Sequence, residues 1–284
     1  MTHKETWLKY PGGKAKLAPR IVELLGNGGP YVEPCVGGGA VLRLIVDRAP
    51  PPYGLVTLAD ANPAVRMVYA DLLDEARLRS FARIDLLPLR ASLNDWLRSP
   101  MLRAYASMQR DVAAAFFAYN RRAMNGIVRV NQDGEFNVAE GKGPKGKLPQ
   151  LTDAQCASAV RASRPIRSFA PVVLDDCVTA IDRAPSRSRI YLDTPYSGGF
   201  VAYAQGGWTT DDDIRTYEAA GRAVRDRDCR IVASAPDTDW YRDVVRQTLS
   251  GYAIELVTED RPVNSDGAGR KPVPAMLVTA GGLR

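Results

Sequence analysis

Arg189-Ile190-Tyr191-Leu192-Asp193-Thr194-Pro195-Tyr196-Ser197 is the stretch that decides the fold. Ile190-Tyr191-Leu192 has the apolar, β-prone character of a buried strand, and it delivers an acid, a rigid turn and an aromatic ring to one point. Open α/β sheets place their chemistry just beyond the carboxyl ends of their strands. A carboxylate, a main-chain carbonyl and a flat ring in series suit a planar molecule carrying an exocyclic amine, such as a nucleobase.

Upstream, Pro30-Tyr31-Val32-Glu33-Pro34-Cys35-Val36-Gly37-Gly38-Gly39-Ala40 reads as a short strand, an acid-proline, a glycine-rich turn and the start of an apolar helix. Glycines let a backbone approach a bound molecule where a Cβ would obstruct it, and they serve equally in a tight structural turn. The spacing is not GxGxxG, so a dinucleotide is not the natural guest. A second strand, Leu55 to Ala59, ends at Asp60, placed either to grip ribose hydroxyls or to cap the helix opening at Asn62-Pro63. Ahead of both, Tyr10-Pro11-Gly12-Gly13-Lys14 precedes a helix over residues 15–25, as a simple turn or as a place for an anionic group.

Strand signals vanish from residue 71 to 124 and helical periodicity replaces them. Seven arginines against two acids between Arg77 and Arg110 read as a solvated helix face or as a track for phosphates. Asp133-Gly134 between two β-prone runs signals a hairpin. Asn125, Arg129, Asn131 and Asn137 crowd it with side chains able to bond base edges, and a two-stranded ribbon fits a major groove. Gly141 to Lys147, with Lys142 and Lys145, is a basic loop suited to phosphates.

Downstream the α/β pattern resumes. A helix is expected over Ala154 to Ala162, and Val172-Val173-Leu174 reads as a strand running into Asp175-Asp176-Cys177. Phe200, Tyr203 and Trp208 form an aromatic rim or lid, and Thr209-Thr210-Asp211 supplies a helix N-cap. Further strands are read at Arg230 to Ser234, Ile254 to Val257 and Met276 to Thr279, the last two as an antiparallel pair, with a helix over Asp239 to Leu249 and a polar loop from Arg261 to Lys271.

Composition narrows the chemistry. With 284 residues, 38 Lys plus Arg against 32 Asp plus Glu and a charge of +6, the chain favours polyanion partners weakly. Its single histidine, His3, argues against Ser-His-Asp, Cys-His and HExxH chemistry. Cys35, Cys156, Cys177 and Cys229 form no CxxC pair, so zinc ribbons and a disulfide framework are not expected and a reducing cytoplasm is the default. No signal peptide or membrane-spanning run is read.

In its order of motifs the chain resembles the Dam-type (class α) DNA adenine N6-methyltransferases, which use S-adenosylmethionine. Tyr10 to Lys14 is similar to that family's N-terminal cofactor motif, and Glu33-Pro34-Cys35-Val36-Gly37-Gly38-Gly39 to its glycine loop. Asp60 matches its ribose-binding acid, and Asp176-Cys177 its Asp-Phe pair. Asn125 to Asn131 with Gly134 to Val138 resembles its DNA-reading hairpin, and Asp193-Thr194-Pro195-Tyr196 its catalytic Asp-Pro-Pro-Tyr. The resemblance spans nearly the whole chain.

It implies an α/β fold with a Rossmann-like methyltransferase sheet, mostly parallel with an antiparallel C-terminal strand pair. Residues 1–70 and 150–284 would form the cofactor-binding domain, and 71–149 an inserted helical and hairpin DNA-recognition subdomain. Tyr10, Lys14, Glu33, Pro34, Cys35, Gly37, Gly39, Asp60 and Asp176 would line the cofactor. Arg122, Asn125, Arg129, Asn131, Asn137, Lys142 and Lys145 would meet double-stranded DNA. Tyr196 would stack on a flipped adenine while Asp193 and the Thr194 carbonyl, ahead of Pro195, accept its amine hydrogens.

No metal is implied. A cognate restriction nuclease is a candidate partner, and a monomer or weak dimer is expected in a bacterial or phage-infected cell. Thr194 replaces the motif's first proline and Cys35 a usual aromatic. Val130 and Ala139 stand where readers of GATC have tyrosine and proline, so GATC does not carry over. The departures at Cys35 and Thr194 keep open a related enzyme placing a different group on a base. A catalytically silent DNA-binding protein is the alternative of another class.

Overall fold

Strands buried on both faces read as near-continuous apolar runs, and Val32, Leu58-Ala59, Ile190-Tyr191-Leu192 and Ile231-Val232-Ala233 supply them at the centre of this sheet. The structure, a computed structural model, describes residues 8–10, 12–46, 54–71, 74–103, 105–141, 151–169, 171–174, 176–196, 207–260 and 272–282. Strands β1 (Tyr31–Glu33), β2 (Val56–Ala59), β3 (Val172–Leu174), β4 (Arg189–Leu192), β5 (Arg230–Pro236), β6 (Ala253–Asp260) and β7 (Pro272–Ala280) form one sheet in the order β3-β2-β1-β4-β5-β7-β6. Every pairing from β3 to β5 is parallel, while β7 runs antiparallel to both β5 and β6. This is the Rossmann-like sheet that the sequence implied, with its antiparallel closing pair.

Alternation splits the core into two layers. Tyr31, Leu58, Tyr191 and Val232 point into one cluster, while Val32, Ala59, Ile190, Leu192, Ile231 and Ala233 point into the other. Helices α1 (Ala18–Leu25), α2 (Ala40–Val46) and α3 (Pro63–Asp71) cover the first face. The second is covered by α8 (Cys177–Asp182), α9 (Thr210–Arg227) and α10 (Asp239–Thr248). Thr209 caps α9 through a reciprocal box with Asp212, as the sequence signalled for that N-terminus.

The region from residue 71 to 124 is helical as expected, with α4 (Glu75–Ala82), α5 (Leu86–Arg98) and α6 (Ala106–Arg122), and a 3-10 turn at Pro100–Arg103. The buried run from Val112 to Tyr119 on α6 continues the first cluster out from α3 to the chain beyond Gly126. Helix α7 (Asp153–Ser168) is longer than its expected 154–162, running on through Pro165 to bury Ile166.

One expectation needs correction. The Asp133-Gly134 turn forms, but instead of a two-stranded ribbon it closes a loop held by two isolated antiparallel bridges, Ala123 with Glu140 and Val130 with Phe136. Side chains take the places of ladder partners. Asn131 Oδ1 accepts the amides of Asp133 at 3.0 Å and Glu135 at 2.9 Å, and Asn94 on α5 accepts the Phe136 amide at 2.8 Å while donating to its carbonyl at 3.1 Å. Phe136 then anchors the loop between Phe116 and Tyr119, at ring distances of 5.4 and 5.3 Å.

Gly221 on α9 offers a test of this packing. A Cβ there would lie 2.1 Å from the Thr248 carbonyl oxygen at the end of α10. In an exposed helix, glycine to alanine stabilises by up to about 1 kcal/mol. Here the sign reverses: Gly221→Ala is expected to lose about 1–3 kcal/mol as α9 and α10 are forced apart, seen as a lower urea midpoint with an unchanged slope.

Candidate active site

Strand order reverses between β1 and β4, the kind of switch point at which open α/β sheets bind their ligands. Glu33 ends β1 and Asp193 follows β4, which brings two carboxyls to the same mouth. From the N-terminal segment, Lys14 enters this space almost fully buried. Its Nζ lies 2.8 Å from Asp193 Oδ1 and 3.6 Å from Glu259 Oε1 near the end of β6, and donates to the Gly12 carbonyl at 3.0 Å. Burial acts to lower the lysine pKa, but Asp193, then Tyr191 and Glu259, outweigh it and hold the ammonium charged. Removing one partner of such a pair costs roughly 3–5 kcal/mol, since the other charge is left without compensation.

Asp193 Oδ1 also accepts the Tyr196 hydroxyl at 3.1 Å. Both contacts fall on Oδ1, so Oδ2 receives no hydrogen bond from the described residues. The Lys14 ammonium lies 5.4 Å from the Tyr196 ring centre, in cation–π range. Burial, followed by the Asp193 charge, raises the Tyr196 phenol well above its usual range and keeps it a neutral donor. Thr194 is buried, its hydroxyl donating to Asp213 Oδ1 at 3.2 Å, while Pro195 is half-buried.

Between β1 and α2 the three glycines are packed on both sides. Gly37 and Gly39 have positive φ, and a Cβ on Gly39 would lie 2.4 Å from the Tyr69 hydroxyl. The Tyr69 hydroxyl donates to the Gly37 carbonyl at 3.0 Å, and the Tyr10 side chain covers Gly37 and Gly38. Asp60 takes its expected place at the entry to α3 and also reaches the glycine loop. One oxygen accepts the Asn62 amide at 2.9 Å at the entry to α3, and the other accepts the Gly37 amide at 3.0 Å, tying the end of β2 to the loop. Burial pushes Asp60 up to about 6.

Glu33, also buried, accepts the Tyr31 hydroxyl at 2.8 Å, and burial, with Asp193 adding to it, pushes its carboxyl up to about 8. Pro34 is buried behind it. Cys35 lies in hydrogen-bonding contact with Cys177, which with burial raises its thiol well above the usual range, and Cys177 shares a hydrogen bond with Thr216 at 3.3 Å. Asp176 is exposed after β3 and caps α8 through Thr179 at 2.6 Å. The acids Glu33, Asp60 and Asp176 therefore follow three adjacent strands. Among the described residues no three His, Cys, Asp or Glu side chains are grouped to hold a metal ion, and no helix is long and apolar enough to cross a membrane.

The residues singled out near residue 130 separate into two groups. Arg129 and Asn137 are exposed, and the Arg129 Nε donates to Asn137 Oδ1 at 2.7 Å. Asn131 is spent on its own turn, while Arg122 is turned inward, bonding the Ile84 carbonyl and Glu140. Of the arginine run, Arg77 pairs with Asp111, Arg79 with Glu75 and Asp153, and Arg98 with Asp95 and Glu135. Lys142, Lys145, Phe200, Tyr203 and the Asn125 side chain lie outside the described residues.

Sequence reading missed Glu259, Asp213 and Tyr241 beside the site, because each arrives from a distant element. It also missed Lys9, whose backbone exchanges hydrogen bonds with Asn120 at 2.9 and 2.7 Å and whose Nζ donates to the Arg121 carbonyl at 3.0 Å. The N-terminal segment that carries Lys14 is thereby fastened to α6. Gly126 packs against it, since a Cβ there would lie 2.1 Å from that of Lys9.

Residues 10–259 match the family described as D12 class N6 adenine-specific DNA methyltransferase. The chain is 29% identical over 286 residues to a DNA adenine methylase of Vibrio cholerae serotype O1, covering 98% of this chain and 96% of that one. It is 26% identical to the Type II methyltransferase M.MjaIII of Methanocaldococcus jannaschii, over 93% and 94% of the two chains. A DNA adenine methylase of Escherichia coli K12 is 26% identical over 98% and 95%.

Glu33 leads to a pH prediction. Its carboxyl titrates near 4.5 when unfolded and near 8 when folded, so the native state binds more protons between these limits and stability falls as pH rises. The contribution is complete below about pH 4.5 and lost as pH passes through about 8. Thermal unfolding of the wild type compared with Glu33→Gln across this range is expected to show the wild type losing ground steadily, with a constant difference at either end. Asp60 titrates in both proteins and cancels.

Proposed function

The chain belongs to the D12 class of N6 adenine-specific DNA methyltransferases, and on that premise we propose that Asp193, the Thr194 carbonyl and Tyr196 hold an adenine flipped out of DNA while its N6 amine takes a methyl group from S-adenosylmethionine. The observation that carries this assignment is the one-sided engagement of Asp193. Lys14 and Tyr196 fix Oδ1, which leaves Oδ2 as the acceptor for an amine hydrogen.

The acids suit such a methyl donor. A cationic amino acid portion, a ribose diol and an adenine amine call for carboxylates at separate points, and Glu33, Asp60 and Asp176 follow adjacent strands at that spacing of roles. Each Asp60 oxygen keeps a lone pair for a hydroxyl beyond the amide it accepts. Glu33, with its charge suppressed by burial, ionises most readily when a cation arrives beside it. The glycine loop lets backbone approach from the third side. When bound, S-adenosylmethionine supplies an electrophilic methyl on a sulfonium.

The chain's own residues do the rest. An exocyclic amine is a poor nucleophile because its lone pair is delocalised into the ring. Asp193 Oδ2 and the Thr194 carbonyl each accept one amine hydrogen, which draws the nitrogen toward sp³ and turns its lone pair out of conjugation. Tyr196 offers its ring as the stacking face, offsetting the few kcal/mol that unstacking costs. Positioning of this kind supplies much of the rate.

Residues 71–149 form the DNA-recognition part of the protein in this reading. Exposed Arg129 and Asn137 present their polar ends together to base edges, Asn125, Lys142 and Lys145 are further DNA contacts in this reading, and Arg122 and Asn131 hold the loop's shape. The protein acts as a monomer or weak dimer in the cytoplasm, with a cognate restriction nuclease as a candidate partner.

Labelled methyl transfer from S-adenosylmethionine to DNA, followed by nucleoside mass analysis, tests the assignment. Wild type should yield N6-methyldeoxyadenosine, and Asp193→Asn should lower kcat by at least about 100-fold with cofactor binding kept. Bound cofactor without transfer to any DNA, or a transferred group heavier than methyl, would overturn it.

A further inference from the structure

Thr194 contributes its carbonyl to the reaction proposed above, yet threonine has no ring to fix its backbone as proline does. Its hydroxyl is held instead. It donates to Oδ1 of Asp213 at 3.2 Å, and Asp213 is wholly buried in the first turns of α9. The other carboxyl oxygen accepts the hydroxyl of Tyr241, on α10, at 2.8 Å. The Tyr241 ring in turn meets the Tyr196 ring edge to face, with centres 6.2 Å apart. Tyr217 lies buried close by, and its phenol is raised first by burial and then by the Asp213 charge, so it stays neutral.

These contacts close a circuit: Thr194 to Asp213, Asp213 to Tyr241, Tyr241 to Tyr196, and back along the chain through Pro195. A carboxyl without water is costly to place in a core, and only directed donors offset that cost. Networks of this kind stiffen one geometry over its alternatives. We propose that Asp213 is a positioning residue for methyl transfer, which sets the Thr194 carbonyl through one oxygen and the Tyr196 stacking face through the other. It touches neither base nor cofactor. The catalytic loop after β4 is thus referenced to α9 and α10, on the opposite face of the sheet from the Lys9 to Asn120 junction.

The proposal rests on the methyl-transfer reading, and the test separates the two. Thr194→Val removes only the hydroxyl, and Asp213→Asn keeps the volume of the carboxyl. Each is expected to lower kcat on the order of ten- to a hundred-fold, as a misplaced reacting group does, with the KM for S-adenosylmethionine within about twofold. The double variant should be no slower than the slower single, because both break the same link. Thr194→Ser should recover most of what Thr194→Val loses.

A purely structural role would lower the unfolding temperature while kcat per folded molecule stayed put. Tyr241→Phe repeats the test from the other oxygen and leaves no cavity, should Asp213→Asn fold poorly. An active wild type with kcat unchanged in Thr194→Val, or losses that multiply in the double variant, would overturn the proposal alone. An inactive wild type would overturn the methyl-transfer reading and take this proposal with it.

Discussion

A buried cation holds the site together. Lys14 reaches the mouth between β1 and β4 from the N-terminal segment and meets Asp193 at 2.8 Å and Glu259 at 3.6 Å. Three segments far apart in sequence are thereby fixed to one ammonium, which in a dry setting must keep its partners. The same contact bears on the chemistry available to Asp193, since it occupies one carboxylate oxygen together with the Tyr196 hydroxyl, while the other receives no hydrogen bond from the described residues. Lys14 can do this only because Lys9 fastens its segment to Asn120 on α6. The helices between β2 and β3 therefore support Asp193 as well as the loop around Asp133-Gly134.

Around that cation lie carboxyls held in contrasting ways. Asp193 is tied to a charge, Asp60 to two backbone amides, Asp213 to the hydroxyls of Thr194 and Tyr241, and Glu33 to the Tyr31 hydroxyl and the Leu42 amide. Burial acts against ionisation, and the degree to which each partner opposes it sets the outcome. At Glu33 burial outweighs its donors and the Asp193 charge adds to it, so its carboxyl is pushed up to about 8. A carboxyl that is neutral alone and ionises beside a cation is suited to waiting for a positively charged ligand. One held by fixed donors is suited to keeping a loop in place.

The loop around Asp133-Gly134 illustrates competition between local and regular structure. Its turn obeys the Asp-Gly signal, with Gly134 at positive φ. Past the turn, Asn131 and Asn94 offer side-chain bonds that the ladder would otherwise make, and Phe136 sinks between Phe116 and Tyr119. Arg129 and Asn137 remain outside, paired with one another. Polar residues of this loop thus divide into those that shape it and those that stay exposed, a division that residue type does not announce.

By itself the sequence determined the strands and their order of use. The β-prone runs at Tyr31–Glu33, Val56–Ala59, Val172–Leu174 and Arg189–Leu192, the first ending in an acid and the others followed by one, are a local pattern that physics reads one way: buried parallel strands with chemistry at their tips. Asp193, Tyr196, Glu33 and Asp60 stood out as candidates for that reason, and the long helical stretch was legible as well. Only the tertiary structure decided which partners these groups have. Arg122 and Asn131, read as DNA contacts, bond their own loop and its neighbours, and Lys14, read as a cofactor residue, pairs with Asp193. Glu259, Tyr241 and Asp213 joined the site from β6, α10 and α9. Local patterns encode periodicity and turns, whereas the pairing of a buried polar group depends on which distant side chain packing brings within 3 Å or so, and no spacing in the chain records that.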